Sequence, residues 1–317
     1  MMAKAFLGRL GQTVAVLVAA MALLFALTLI IPGNPAEAIL GPRATPESIV
    51  AITRQLGLDQ PVWERLWRFF ALLLTGDFGT DIVSGRPIAV MIGEVLPFTL
   101  ALTLASILLA LLLGVPAGVR AALRPGGTED RLLALVSVGF VALPNFVVAI
   151  GLLIIFSLWL DWLPVDGAGL PGDLGDELLH LILPSLAVAL GWIGYIARLV
   201  RSAMLEVLGQ PYIRTARAFG LRQGRLIYLH ALRNAALPVL AVLGVGIGQL
   251  LGGAVFAEII FARPGMGSLI FNAINARNYP VVQASVFVIV LLFVATNLMI
   301  DALFLWLDPR LRRPAAS

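Results

Sequence analysis

The sequence predicts an all-helical protein that crosses a membrane six times. The mean hydropathy is +0.98 and only 13% of the residues are charged. A soluble core of a 317-residue chain cannot bury so much apolar surface. Six apolar runs each have the length of roughly 20 residues or more that a helix needs to cross a bilayer. They cover residues 10–31, 96–119, 132–160, 181–200, 237–261 and 284–307.

Basic residues in the short connections orient these runs, because lysine and arginine collect on the cytoplasmic side of membrane proteins. One side carries Lys4, Arg9, three arginines between 120 and 131, seven between 198 and 233, and three after 309. The other side has only Arg263 and Arg277 outside the long first connection. Both termini are therefore predicted to be cytoplasmic.

The first connection, residues 32–95, is predicted to be an extracytoplasmic insertion with short amphipathic helices. Thr45-Pro46-Glu47 supplies an N-cap, a first-turn proline and a first-turn acid for a helix that ends near Gln55. A second helix is expected after Pro61, and it either lies at the lipid headgroups or packs on other helices. Its apolar face consists of Trp63, Leu66, Trp67, Phe70 and Leu74.

Within the membrane, a proline and two carboxamides are the most informative residues. Pro144 interrupts the third run and predicts a kink, because proline frees a backbone carbonyl. Asn145 beside it and Gln249 in the fifth run are candidates to line a hydrated translocation path, and hydrogen bonding between helices is the alternative. Small residues at a spacing of four predict close packing, within the bundle, at a subunit seam or beside the path. They are Gly244, Gly248 and Gly252.

The sequence contains no recognisable catalytic, cofactor-binding or metal-binding motif. Lys4 is the only lysine, which excludes the Gly-Lys-Ser/Thr of a P-loop, and there is no cysteine. His180 and His230 fall on opposite sides of the membrane and form no zinc-binding pair. The net charge of +4 comes from arginines between apolar runs, without the interleaved aromatic residues of a nucleic-acid surface. We therefore expect neither an enzyme nor a nucleic-acid-binding protein.

The cytoplasmic loop 201–236 is the most distinctive segment of the chain. Between 212 and 234 it holds five arginines and no acid. Pro211 and Gly220 predict a short helix from about Tyr212 to Phe219. Such a helix, with an apolar knob beside a basic face, suits the groove of a partner protein. The expected knob is Ile213, Ala216 and Phe219, and the basic face is Arg214 and Arg217.

This loop resembles the EAA loop of bacterial ABC-importer permeases, and specifically that of the first permease of the dipeptide/oligopeptide/nickel group. The matching residues are Tyr212, Arg214, Thr215, Ala216, Arg217, Ala218, Gly220 and Leu221, then His230, Ala231, Leu232, Arg233, Asn234, Ala235 and Pro238. Other passages similar to this group are Leu56-Gly57-Leu58-Asp59-Gln60-Pro61, Gly76-Asp77-Phe78-Gly79, Leu163-Pro164, Arg263-Pro264-Gly265-Met266-Gly267 and Asp308-Pro309-Arg310. The likeness keeps its order over nearly the whole chain.

The resemblance implies a single transmembrane permease domain over residues 1–317, with the type I ABC-importer fold, in the inner membrane. It implies a heterodimer with a second, related permease, two cytoplasmic ATPases that use ATP and Mg, and an extracytoplasmic substrate-binding protein. The residues matched between Tyr212 and Leu221 would form a coupling helix seated in an ATPase groove. This chain itself would bind no cofactor.

Two kinds of alternative stay open at this point. Dipeptides or oligopeptides are the expected cargo, and nickel chelates, glutathione or opines are alternatives that permeases of similar sequence carry. A secondary carrier or channel that needs no ATPase is the alternative from another class. It predicts ionisable groups near the middle of the membrane, and the six runs offer almost none.

Overall fold

The computed structural model describes residues 2–30, 45–55, 57 and 59–307, and these residues form helices joined by short connections. The helices are α1 (Met2–Ile30), α2 (Pro46–Gln55), α3 (Val62–Thr75), α4 (Ile88–Leu123), α5 (Thr128–Ala142), α6 (Asn145–Leu152), α7 (Leu174–Leu208), α8 (Pro211–Ala218), α9 (Leu232–Ile260), α10 (Met266–Asn275) and α11 (Tyr279–Leu307). Segments of π-helix, Leu153–Trp159 and Leu226–Ala231, follow α6 and precede α9. The all-helical prediction is confirmed.

Each of the six predicted membrane runs falls on a helix or, for the third run, on the pair α5 and α6. Within the described residues, three helices are long and apolar enough to cross a membrane, and the bent pair makes a possible fourth. These are Ile88–Leu123, Leu174–Leu208 and Tyr279–Ile300, with Thr128–Phe140 plus Asn145–Trp159 as the pair. Shorter apolar helices lie in α1 and α9, at Val14–Ala26 and Gly246–Ile260.

The predicted kink in the third run is a complete break. Leu143 has extended backbone angles, Pro144 precedes the first residue of α6, and the two helices are bent by 103°. Proline has no N–H to donate, so the hydrogen-bond ladder of α5 cannot continue through it. The break brings Asn145 to the start of a new helix.

Parts of the sequence predictions, residues 32–44 and the terminal Asp308-Pro309-Arg310, lie outside the described residues.

The chain divides into two compact units, of which the first contains the residues up to Pro97 and Gly265–Leu298. Both short helices predicted for the first connection are present in it as α2 and α3. Helix α3 packs on α1 through Phe69, whose ring centroid lies 5.7 Å from that of Phe25. Trp63 and Trp67 on α3 remain 69% and 76% exposed. This helix therefore buries one face and leaves two large aromatic side chains available at the other.

A loop in the same unit is held by Asp81, whose carboxylate accepts hydrogen bonds from the backbone of Val83 and Ser84 and from the Asn278 side chain. Burial of this carboxylate raises its pKa, but the hydrogen bonds outweigh burial and hold the pKa of Asp81 below its ordinary value. The charged form of Asp81 therefore stabilises the loop.

The second unit contains Phe98–Pro264 and the residues from Met299, and α7 lies at its centre, against α5, α6 and α9. Glycines allow this close packing. A Cβ at Gly118 of α4 would lie 2.4 Å from the carbonyl oxygen of Ala197, and one at Gly194 of α7 would lie 2.9 Å from the Cα of Ser137. The backbones approach more closely than any larger residue would allow.

Candidate functional site

Helix α8 is bounded by residues that stop the flanking helices. Helix α7 ends at Leu208, and Pro211 occupies the first turn of α8, where its missing N–H costs nothing. After eight residues the helix ends, and Gly220 takes φ +76°, a left-handed conformation that favours glycine. The predicted short helix is confirmed, with bounds one residue earlier at each end.

Ile213 does not belong to an exposed knob, and that part of the sequence interpretation is wrong. Its side chain is 0% exposed and belongs to a core cluster with Met204, Leu226 and Ala231. Ala216 is half-buried against the same cluster. The reason is that residues from α7 and from the segment before α9 close over this side of α8. Ile213 is therefore an anchor that ties α8 to the helix bundle.

The opposite side of α8 is open. Phe219, at the end of the helix, is 83% exposed and is the apolar residue that does protrude. The basic residues of α8 are exposed, and in the part of the chain that the structure describes they make no ion pair. The predicted coupling residues that are exposed are Tyr212, Arg214, Thr215, Arg217, Ala218 and Gly220, whereas Ala216 and Leu221 are half-buried.

One side-chain hydrogen bond ties α8 to a neighbouring helix, and a second lies within α8. The Asn234 Nδ2 in the first turn of α9 donates to the Tyr212 hydroxyl over 2.7 Å. The Thr215 hydroxyl donates to the carbonyl oxygen of Pro211 over 3.1 Å within α8. The Tyr212–Asn234 hydrogen bond thus joins α8 directly to the start of α9.

The Asp130–Arg201 ion pair joins α5 to α7 in the same unit. The Arg201 Nη2 donates to the Asp130 Oδ2 over 2.7 Å, and the backbone N–H of Gly126 donates to the same oxygen over 2.8 Å. Arg201 is therefore occupied with a structural contact, unlike the exposed arginines of α8.

The two carboxamides that the sequence singled out line one cavity. This cavity has a volume of about 640 Å³ and lies among α5, α6, α7 and α9. Asn145 and Gln249 approach it from α6 and α9 and are 104 positions apart in the sequence. Its walls consist of Phe140, Leu143, Asn145, Gly191, Trp192, Tyr195, Ala241, Val242, Gly246 and Gln249.

Two glycines of α9, Gly246 and Gly253, lie against side chains that line this cavity, and neither belongs to the spacing-of-four set that the sequence indicated. A Cβ at Gly246 would lie 2.0 Å from the Cη2 of Trp192, and one at Gly253 would lie 2.7 Å from the Nδ2 of Asn145. At Gly252, a Cβ would meet no atom within 4 Å. Of the three predicted glycines, Gly252 therefore makes no close contact within this unit, whereas Gly246 and Gly253 do.

A buried charge follows α9, which sequence reasoning had treated only as a connecting arginine. Arg263 is 4% exposed, its guanidinium lies 5.6 Å from the centre of the Phe98 ring, and its Nε and Nη1 have no hydrogen-bond partner among the described residues. Burial lowers the pKa of Arg263, against the attraction of Glu258 and Glu177. The fully buried Glu258 accepts a hydrogen bond from Thr99 over 2.6 Å. The only sequence signal for this buried arginine was the passage Arg263-Pro264-Gly265-Met266-Gly267, which is similar to the permease group.

Two proteins of similar sequence and one solved structure of similar fold are compared with this chain. The chain is 38% identical to the dipeptide transport system permease protein DppB of Alkalihalophilus pseudofirmus, over 96% of this chain and 98% of that protein. It is also 38% identical to the glutathione transport system permease protein GsiC of Salmonella paratyphi A, over 92% of each. A solved inward-facing structure of the MetNI methionine ABC transporter matches 70% of this chain and 98% of its own chain, with a TM-score of 0.59 and 18% identity.

The solved structure supports the fold, the type I permease arrangement of helices. Residues 2–103 match the N-terminal region of binding-protein-dependent transport system membrane components. Residues 114–313 match the family described as the inner membrane component of binding-protein-dependent transport systems. The chain belongs to this family and is a permease component of an ABC transporter.

Proposed function

We propose that this chain is the first of two related permease subunits of an ATP-driven importer of dipeptides or oligopeptides, and that both of its termini are cytoplasmic. The curated relatives support the cargo, since one is a dipeptide permease and another a glutathione permease. Glutathione is itself a small peptide, so both names indicate solutes with peptide-type amides. Glutathione is therefore the second candidate cargo. An extracytoplasmic binding protein would deliver either one.

Helix α8 is the coupling helix of this proposal, and its two-sided character is the observation that carries it. Ile213 anchors the inner side in the core, while Phe219 and the exposed arginines project outward. An apolar side chain that is 83% exposed beside exposed arginines fits a groove on a partner that offers apolar contact and acidic groups. The partners would be two cytoplasmic ATPases, which hold the ATP and Mg.

The translocation path would run beside the cavity that Asn145 and Gln249 share. The second permease would complete the path, because such an importer forms its path from two permease chains. ATP binding would close the ATPases, move α8 as a rigid body, and pass this movement through Tyr212 and Asn234 to α9, the helix that carries Gln249.

Charge reversal on α8 tests the proposal in the reconstituted complex of both permeases, the ATPases and the binding protein. The double variant Arg214→Glu and Arg217→Glu should reduce peptide uptake and peptide-stimulated ATP hydrolysis by at least about tenfold, since removing paired charges from an interface costs several kcal/mol. Arg124→Glu is the matched control, an exposed arginine of another connection, and should keep both activities. Full uptake by the double variant, or uptake without the ATPases, would exclude the coupling role.

A further inference from the structure

The cavity of the second unit has a lining of apolar and uncharged polar side chains. Among the described residues that line it, none is acidic or basic, although the chain holds 22 basic and 18 acidic residues. Its polar groups are the carboxamides of Asn145 and Gln249, with the ring N–H of Trp192 and the hydroxyl of Tyr195 beside them. A volume of about 640 Å³ is in the usual range of roughly 300–1,000 Å³ for sites that bind small molecules.

Both carboxamides line the cavity, and the Nδ2 of Asn145 also lies against Gly253 of α9. In the described part of the chain, the structure records no side-chain hydrogen bond for Asn145 or for Gln249. Each carboxamide has an N–H₂ that donates and a C=O that accepts, which is the same pair of functions that a peptide unit presents. Two such groups on one cavity can pair with a peptide backbone whatever its side chains are.

An uncharged lining also suits release of the solute. A fixed charge in a poorly hydrated cavity binds one sign of solute tightly and repels the other, because charges interact strongly at low dielectric constant. Passage requires contact that is favourable enough to admit the solute and weak enough to let it leave. Neutral hydrogen bonds meet that requirement, because each contributes little net free energy when it replaces a hydrogen bond to water.

Trp192 forms part of the wall of this cavity. Its indole lies directly on the backbone of α9 at Gly246, where a Cβ would lie 2.0 Å from its Cη2. Its ring also contacts Tyr195 edge-on, with centroids 5.6 Å apart and an angle of 77° between the planes. Held on two sides, the indole forms a rigid aromatic wall, against which an apolar side chain of the solute can pack.

We propose that this cavity is a contact site for the peptide group of the transported solute, in which Asn145 and Gln249 recognise the amide and the absence of charge makes the site indifferent to the charge of the solute. This inference rests on the proposed function, since it requires that peptides pass this permease.

The test introduces one charge into the cavity with almost no change of shape. In the reconstituted complex, Gln249→Glu is compared with the unchanged protein for uptake of the dipeptides Ala-Ala, Ala-Asp and Ala-Lys. The assay is run at about pH 8, well above the ordinary glutamate pKa of about 4.3, so that the introduced carboxyl group is ionised. The ratio of Ala-Lys to Ala-Asp uptake should rise at least about tenfold, as expected for a charge contact of more than about 1.4 kcal/mol.

Asn145→Asp should shift the same ratio in the same direction, which guards against a folding defect at position 249. Asn275→Asp is the matched control, an exposed carboxamide outside both the cavity and the coupling loop, and should leave the ratio unchanged. If both cavity variants slow all three dipeptides equally, the residues act only on structure and the contact site is refuted, while the proposed function stands. If the unchanged complex takes up none of the dipeptides, the proposed function fails for this cargo, and the contact site fails with it.

Discussion

Replacing Gly246 with alanine should destabilise the protein through one identified contact. The new Cβ would lie 2.0, 2.5 and 2.8 Å from three carbon atoms of the Trp192 six-membered ring, against about 3.5–4.0 Å for carbons in van der Waals contact. The indole must therefore move by about 1.5–2 Å, or α7 and α9 must separate. Such overpacking costs roughly 1–3 kcal/mol, and alanine recovers about 1 kcal/mol of helix propensity. The net destabilisation is about 0–2 kcal/mol.

A control on the same helix removes the propensity term from this comparison. At Gly252 an added Cβ meets no atom within 4 Å, so Gly252→Ala gains the same helix propensity without the clash. The difference between the two alanine variants therefore isolates the contact with Trp192 and should be about 1–3 kcal/mol.

Thermal unfolding of the purified complex measures this difference. We expect Gly246→Ala to unfold at a lower temperature than Gly252→Ala. Adding Trp192→Phe to Gly246→Ala should recover part of the loss, because phenylalanine lacks the ring atoms that clash and the two sites are coupled. Equal unfolding temperatures of the two alanine variants, or no recovery with Trp192→Phe, would refute the packing described for α7 and α9.

Two further changes test α8 and the Asp81 loop. Phe219→Ala should change the stability of the protein by no more than about 0.5 kcal/mol, because the side chain is largely exposed. The same variant should reduce peptide-stimulated ATP hydrolysis. Unchanged hydrolysis would count against Phe219 as a partner contact. Since the pKa of Asp81 is lowered in the folded protein, its stabilisation is complete above the unfolded value of about 3.9 and is lost as the pH falls through the lower folded value. The backbone N–H groups of Val83 and Ser84, which donate to Asp81, should then lose protection from hydrogen exchange at acid pH. In the variant Asp81→Asn they should be weakly protected at neutral pH too. Equal protection of both amides in the variant and in the unchanged protein would contradict this.

The sequence was sufficient for features that depend on short stretches of chain. A bilayer demands apolar runs of nearly constant length, so the six runs and their helices follow from composition alone. Pro144 cannot continue a helix hydrogen-bond ladder, so a break was predictable, although not its angle of 103°. Helix α8 was predictable for the same reason, because Pro211 and Gly220 act locally.

Which face of each helix packs against its neighbours depends on residues that are distant in the sequence. The sequence pattern therefore could not predict it. Glycines recur on two roughly opposite faces of α9, and a period of 3.6 residues says nothing about which one meets α7. The three-dimensional arrangement brings Trp192 onto Gly246 and leaves Gly252 open. Likewise Ile213 and Phe219 are both apolar, yet packing from α7 and the segment before α9 buries only Ile213. Which apolar residue is an anchor and which is free to bind a partner is settled by neighbours remote in the chain.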